Sequence, residues 1–146
     1  MKVLIIPDVH GSHNWEIAKE KIDEVDFVVF LGDYGDSWEN NWPDQGENVK
    51  AIFDFKRKHP DKVKVLLGNH DWSYISGSRY GSNCSGHQTS KITEIRSLFT
   101  ANLDIIDLRL DINFLAYVSL NFHSFLPPLL DNMSSVFLGN NCHCRI

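Results

Sequence analysis

Several ingredients that mark common protein classes are scarce in this chain of 146 residues. Three cysteines are too few for the disulfide framework of a small secreted domain. No apolar run approaches the roughly 18 residues that cross a bilayer, and Asp8 and His10 interrupt the stretch where a signal peptide needs apolar residues. The net charge of −5 argues against a nucleic-acid or lipid partner. We therefore expect a cytoplasmic, single-domain protein, and its oligomeric state stays open.

Three short apolar runs rich in β-branched residues alternate with amphipathic stretches. Such runs suit strands that are buried on both faces of a parallel sheet. The runs cover residues 3–6, 27–31 and 63–67, and apolar residues recur with helical spacing at 15–22 and 47–59, where Pro60 ends the second helix. This β-α-β-α-β order predicts a parallel α/β fold with right-handed crossovers.

The remainder of the chain is less regular. Residues 72–90 are dense in glycine, serine and tyrosine, which predicts a long irregular loop, and a further helix is expected at 90–101. Residues 108–146 carry only four charged side chains, whereas the first 107 residues carry the other 29. We divide the domain into a core at 1–107 and a charge-poor tail at 108–146. That tail either forms buried strands of a second sheet or is foreign to the domain through truncation or a shifted reading frame.

Polar side chains follow each of the three predicted strands. They are Asp8 and His10 after the first strand, Asp33 and Asp36 after the second, and Asn69, His70 and Asp71 after the third. Ligands of open α/β sheets bind at this edge, and carboxylates gathered there repel each other unless a cation joins them. Oxygen ligands mixed with imidazole nitrogen suit Mn²⁺, Fe or Zn²⁺. Two such ions could clamp a phosphate ester for in-line hydrolysis.

Each motif alone has an ordinary explanation, because Gly-Asp is common in turns and Asn-His-Asp can form a simple Asx turn. The ordered set of three, each at a predicted strand end, is hard to explain by chance. A response-regulator-like or nucleotide-binding α/β domain is a remote alternative, since the segment DVHGSHN is not a glycine-rich phosphate loop.

These motifs resemble the signature of the calcineurin-like metallophosphoesterase family. The matching residues are Asp8-Val9-His10, Gly32-Asp33-Tyr34-Gly35-Asp36 and Gly68-Asn69-His70-Asp71. The stretch up to about residue 107 is similar to small phosphatase-like members from bacteria and phages. The resemblance implies a metallophosphoesterase-type α/β sandwich, with the N-terminal βαβαβ half present and the C-terminal half incomplete.

The resemblance also implies a role for each motif residue. Asp8 and His10 hold the first of two divalent metal ions, Asp33 bridges both, and Asn69 binds the second. Manganese is the first choice of metal, with iron, zinc or nickel as alternatives.

Catalysis would fall to His70, as proton donor or transition-state stabiliser at the leaving-group oxygen. By the same resemblance Asp71 orients the His70 imidazole, and Asp36 supports the site without binding metal.

The sequence departs from the family at the second metal. The family adds a later histidine and a Gly-His-x-His motif, which this chain lacks; Gly86-His87 is a partial echo, and only His123 and His143 lie further along. The second metal site should therefore be weak. We expect a metal-dependent phosphatase acting on a phosphorylated protein or small molecule. The alternative is a catalytically impaired remnant or a metal-stabilised binding module.

Substrate choice would rest on the predicted loop at 72–90. Trp72, Tyr74 and Tyr80 could stack on an aromatic leaving group, and Arg79 could contact a phosphate oxygen. Ordinary loop packing is the alternative for all four residues.

Overall fold

The computed structural model describes residues 1–76 and 87–107. The charge-poor tail, Arg79, Tyr80 and the histidines at 123 and 143 lie outside these ranges, so the predictions made for them stay predictions. In the part of the chain that is described, no helix is long and apolar enough to cross a membrane.

The centre of the fold is a parallel sheet of three strands. The strands are β1 (Val3–Ile6), β2 (Phe27–Phe30) and β3 (Val63–Val65), in the order β1-β2-β3. Val3 pairs with Phe27 and Val28 pairs with Val63, so all three strands point the same way. The predicted parallel α/β architecture is confirmed. The three carboxyl ends therefore lie side by side at one edge of the sheet.

Helices connect the strands and follow the last of them. They are α1 (Ile17–Lys21, preceded by a 3₁₀ turn at Asn14–Glu16), α2 (Trp42–Lys58), α3 (Asn69–Ser76) and α4 (Ile92–Thr100, preceded by a 3₁₀ turn at Thr89–Lys91). Helix α2 begins earlier than the predicted residue 47. The Asn41 side chain caps it by accepting a hydrogen bond from the Asp44 N–H, and Pro43 stands in the first turn, where its missing N–H costs nothing.

The predicted irregular loop at 72–90 is wrong for residues 72–76, which belong to α3. Local composition favoured a loop because glycine and serine dominate the segment as a whole. Tertiary packing decides otherwise, since Asp71 and Tyr74 on one face of α3 are buried.

Aromatic rings join α2 and α4 beneath the second motif. Tyr34 packs its ring 6.2 Å from Phe53 of α2 and 6.2 Å from Phe99 of α4, and these two phenylalanines are 5.9 Å apart. The Tyr34 hydroxyl donates a hydrogen bond to the Leu66 carbonyl over 2.8 Å. This cluster fixes the loop that carries the neighbouring Asp33.

Asp107, at the end of the core, pairs with Val65 of β3. The Asp107 N–H donates to the Val65 carbonyl and the Asp107 carboxylate accepts from the Val65 N–H, both over 2.8 Å. Lys56, buried on α2, donates to that carboxylate over 3.0 Å and to the Val63 carbonyl over 2.7 Å. The buried ammonium therefore ties α2, β3 and residue 107 together.

Candidate metal centre

Three residues, one following each strand, meet at the edge of the sheet. His10 follows β1, Asp33 follows β2 and His70 follows β3, and one nitrogen or carboxylate oxygen of each lies within 4.8 Å of the other two. The two imidazole rings pack edge to face with centroids 4.9 Å apart. The convergence expected from the sequence is therefore present for these three residues.

The backbone at this edge adopts conformations that most side chains avoid. His10, Asp33 and Asp36 have φ angles of 43°, 52° and 62°, in the left-handed region that glycine favours. Such residues cost on the order of 1 kcal/mol or more each and cluster at functional sites. Hydrogen bonds hold the first turn against the second, since the His10 N–H donates to the Asp33 carbonyl over 2.8 Å. The strained turns aim the polar side chains at one another.

Two glycines allow the second and third loops to touch. A Cβ atom on Gly68 would stand 2.0 Å from Asp33 Oδ1, and a Cβ atom on Gly32 would stand 2.0 Å from the Gly68 nitrogen. Real Cβ atoms essentially never approach other atoms so closely. The glycine that precedes each of the second and third motifs is therefore a steric requirement of the site.

Hydrogen bonds fix which ring nitrogen of each histidine faces the site. Nδ1 of His10 lies 2.9 Å from the Gly35 carbonyl, which can only accept, so the Nδ1–H group donates to it and Nε2 is left for another partner. Nδ1 of His70 lies 3.0 Å from the Asp36 carboxylate, which selects the same arrangement. This bond to Asp36 is the main reason that the pKa of His70 is raised.

The partner of the His70 ring differs from the predicted one. Asp71, expected to orient the imidazole, instead accepts hydrogen bonds from the backbone N–H groups of Asp33 (2.7 Å), Gly68 (2.9 Å) and Tyr34 (3.0 Å). It lies in the first turn of α3 and points under the loops, while the left-handed turn at Asp36 brings that carboxylate to His70. Burial raises the pKa of Asp71 to about 7 against the lowering effect of its three N–H donors.

Asp33 is buried at the middle of the group. Its carboxylate accepts the His70 backbone N–H over 2.8 Å, and burial raises its pKa, with the negative charge of Asp8 adding to the rise. Asp8 itself is exposed and lies outside the group of three. Asn69 is the exposed first residue of α3, next to His70. The metal-binding roles of Asp8 and Asn69 stay predictions.

Amide side chains on α2 brace the loops from below, which the sequence analysis missed. Gln45 accepts the Ser37 N–H over 3.0 Å and donates to the Asn40 carbonyl over 2.6 Å. Asn48 donates to the Ser12 carbonyl over 3.0 Å and accepts from the Trp15 ring N–H over 2.7 Å. A signal was present, because these amides occupy the same helical stripe as the apolar residues of α2.

The cleft beside the group has a volume of about 400 Å³. Its lining has no lysine or arginine among the described residues and consists of Val9, His10, Ser12, Asp36, Ser37, Trp38, Glu39 and His70. Trp38, which the sequence analysis did not select, is 80% exposed at this cleft.

The predicted aromatic contacts to substrate divide in two. Trp72 is half-exposed, in keeping with a surface role, but Tyr74 is only 2% exposed and cannot stack on a leaving group. The prediction for Tyr74 failed because the segment is helical and turns this ring into the core.

Imidazole nitrogens and a carboxylate oxygen, close together where no lysine or arginine of the described residues lines the cleft, suit a borderline divalent metal ion. Fold and site thus define an α/β protein with a candidate metal centre at the carboxyl edge of its sheet. Residues 1–126 match the profile of the calcineurin-like phosphoesterase family, and the chain belongs to that family. The described strands and helices correspond to the N-terminal half of the family fold. No curated protein and no solved structure matches the chain.

Proposed function

We propose that this protein hydrolyses phosphate monoesters with the help of a divalent metal ion. The observation that carries the proposal is the meeting of His10, Asp33 and His70 within 4.8 Å at three adjacent strand ends, in a chain of the phosphoesterase family. These residues would hold a metal ion, which when bound would lower the pKa of a water molecule and offset the charge of the phosphoryl oxygens. Manganese is our first choice because the donors combine oxygen and imidazole nitrogen.

Four residues of the chain are proposed as metal ligands. His10, through Nε2, and the Asp33 carboxylate are proposed as ligands, with Asp8 completing the first metal site. Asn69 would join Asp33 at a second site. The sequence has no Gly-His-x-His motif to supply the further ligands that the family uses there, so this site should bind metal more weakly.

His70 is proposed as the acid at the leaving-group oxygen. Its Nδ1–H group is held by Asp36, so Nε2 is the nitrogen left to face substrate. Because its pKa is raised, the His70 imidazole stays protonated to a higher pH than a free histidine does.

The cleft favours one class of leaving group. The lining side chains of the described residues include the carboxylates of Asp36 and Glu39 and no lysine or arginine, so they offer little to hold a polyphosphate tail. The exposed Trp38 ring offers a flat apolar wall on which an aromatic group can stack. We therefore propose phosphate monoesters with an uncharged, aromatic leaving group as substrates.

A second candidate is a metal-stabilised binding module with little catalytic rate. One observation favours it: a single group of potential metal ligands exists among the His, Cys, Asp and Glu side chains of the described ranges. Under this proposal the chain binds one metal ion and a phosphate group but does not turn over.

Hydrolysis of p-nitrophenyl phosphate separates the two candidates. We expect turnover with Mn²⁺, loss of turnover with a chelator, and a fall of about 100-fold or more in Asp33→Asn, since loss of a ligand exceeds the effect of losing an outer partner. The control is Asp54→Asn, which removes an exposed carboxylate that pairs with Arg57 of the same helix, α2. Activity that survives in Asp33→Asn would contradict the proposal, and tight Mn²⁺ binding without turnover would favour the binding module.

A further inference from the structure

Tyr74 is a buried residue that links α3 to the centre without being able to touch substrate. It lies one helical turn after His70, and its hydroxyl reaches the carboxylate that holds the His70 ring. We propose that Tyr74 is a positioning residue, which acts on His70 through Asp36. The inference rests on the proposed role of His70.

Two hydrogen bonds join Tyr74 to Asp36 and Asp36 to His70. The Tyr74 hydroxyl donates to Asp36 Oδ1, and the carboxylate oxygen accepts. The same hydroxyl oxygen accepts the Gln88 backbone N–H over 2.7 Å. The other carboxylate oxygen, Oδ2, accepts from His70 Nδ1 over 3.0 Å. Each oxygen of Asp36 is therefore committed to one ring.

These two bonds determine the plane of the Asp36 carboxylate. The terminal torsion of an aspartate is broad and gives little orientation by itself. Because the Asp36 side chain is fully buried, water cannot replace a missing partner at Oδ1. Among the described residues, removing the Tyr74 hydroxyl would leave the imidazole as the one side-chain partner of the Asp36 carboxylate that is meant to orient it.

Residues later in the sequence, His87 and Arg96, also hold Tyr74 in place. Its ring stacks on His87 with centroids 4.3 Å apart and an angle of 9° between the planes. Its carbonyl accepts from Arg96 Nε of α4 over 2.7 Å. The residues that lead into α4 therefore share control of the His70 orientation.

A second tyrosine gives a matched control. Tyr34 is also buried, but its hydroxyl donates to the Leu66 carbonyl rather than to a carboxylate of the centre. Tyr34→Phe leaves the part-buried Leu66 carbonyl without this donor, at a cost of about 1–3 kcal/mol. Tyr74→Phe leaves both Asp36 Oδ1 and the Gln88 N–H without their partner, so its cost should be larger. Only Tyr74→Phe should alter the His70 ring.

The test is nitrogen-15 NMR of the histidine rings, recorded without metal at a pH where His70 is neutral. We expect Tyr34→Phe to keep the wild-type His70 signals, with the proton on Nδ1. In Tyr74→Phe we expect those signals to move toward a mixture of the two ring tautomers. Wild-type His70 signals in a folded Tyr74→Phe variant would overturn the proposal.

Two further readouts keep the proposal testable. If Tyr74→Phe does not fold, 3-fluorotyrosine at position 74 strengthens the O–H donor and keeps every heavy atom of the ring and hydroxyl. Unchanged His70 signals would then overturn the proposal. If the enzyme turns over, Tyr74→Phe should lower kcat by about 10-fold with KM unchanged, because an outer partner of a site residue is lost. The NMR result needs no turnover, so it stands or falls separately from the proposed hydrolysis.

Discussion

Replacing Gly68 by alanine should damage stability and metal binding together. The new Cβ atom would stand 2.0 Å from Asp33 Oδ1 and 2.5 Å from the Asp33 nitrogen. The carboxylate can escape only by rotating away from the position in which it accepts the His70 N–H. The backbone can escape only by separating the second and third loops, which strains the bond from the Gly68 N–H to Asp71.

The size of the effect follows from these contacts. Two hydrogen bonds of about 1 kcal/mol each are strained or lost. Overpacking of a well-packed site costs a further 1–3 kcal/mol, roughly. We expect Gly68→Ala to lower the free energy of unfolding by about 3–5 kcal/mol. Mn²⁺ affinity should fall as well, because the displaced Asp33 is a proposed ligand.

Gly46→Ala is the matched control. Gly46 lies inside α2, and a Cβ atom there would meet the Trp42 ring at 3.5 Å, an ordinary van der Waals distance. Alanine is preferred to glycine in a helix by about 0.5–1 kcal/mol, so this variant should be slightly more stable than wild type. Urea unfolding followed by tryptophan fluorescence measures both variants. Wild-type stability and Mn²⁺ affinity in Gly68→Ala would refute the steric reasoning.

Three other predictions concern burial, charge and substrate. In metal-free protein the pKa of Asp71 is about 7 in the folded chain, above the usual value, so its contribution to stability is full below about pH 4 and is lost as the pH rises through 7. Asp71→Asn should lack this slope of about 1.4 kcal/mol per pH unit, and parallel slopes in urea unfolding at about pH 5 and 7 would contradict it. Lys56→Met leaves the Asp107 carboxylate without its ion-pair partner and should lower the free energy of unfolding by about 2 kcal/mol, as measured by urea unfolding. Exposed Lys50→Met should lower it by less than about 0.5 kcal/mol. Equal costs would show that the buried pair is not stabilising. Trp38→Ala should raise KM for aryl phosphates about 5- to 10-fold through lost stacking, and an unchanged KM would remove Trp38 from the substrate site.

The sheet and the meeting of the motifs were predictable from the sequence. Parallel strands buried on both faces leave an unbroken apolar run, as in Phe27–Phe30, and their carboxyl ends must share an edge. The start of α2 was also predictable, because Asn41 and Pro43 form a helix-start signal that helical spacing alone does not include.

The finer arrangement of the centre was not predictable in the same way. Spacing cannot reveal that Asp36 has a φ of 62°, and that turn is what brings Asp36 rather than Asp71 to His70. Tyr74 was misassigned for a related reason. Its burial depends on packing of α3 against residues that follow much later in the chain, such as Arg96.

The central claim is that Asp33 and its neighbours bind a divalent metal ion. The direct measurement is elemental analysis of wild-type protein and Asp33→Asn after loading with Mn²⁺ and removal of the excess. We predict one tightly held ion per wild-type chain and none in the variant. Wild-type protein without bound metal, or equal metal content in the two proteins, would contradict the account.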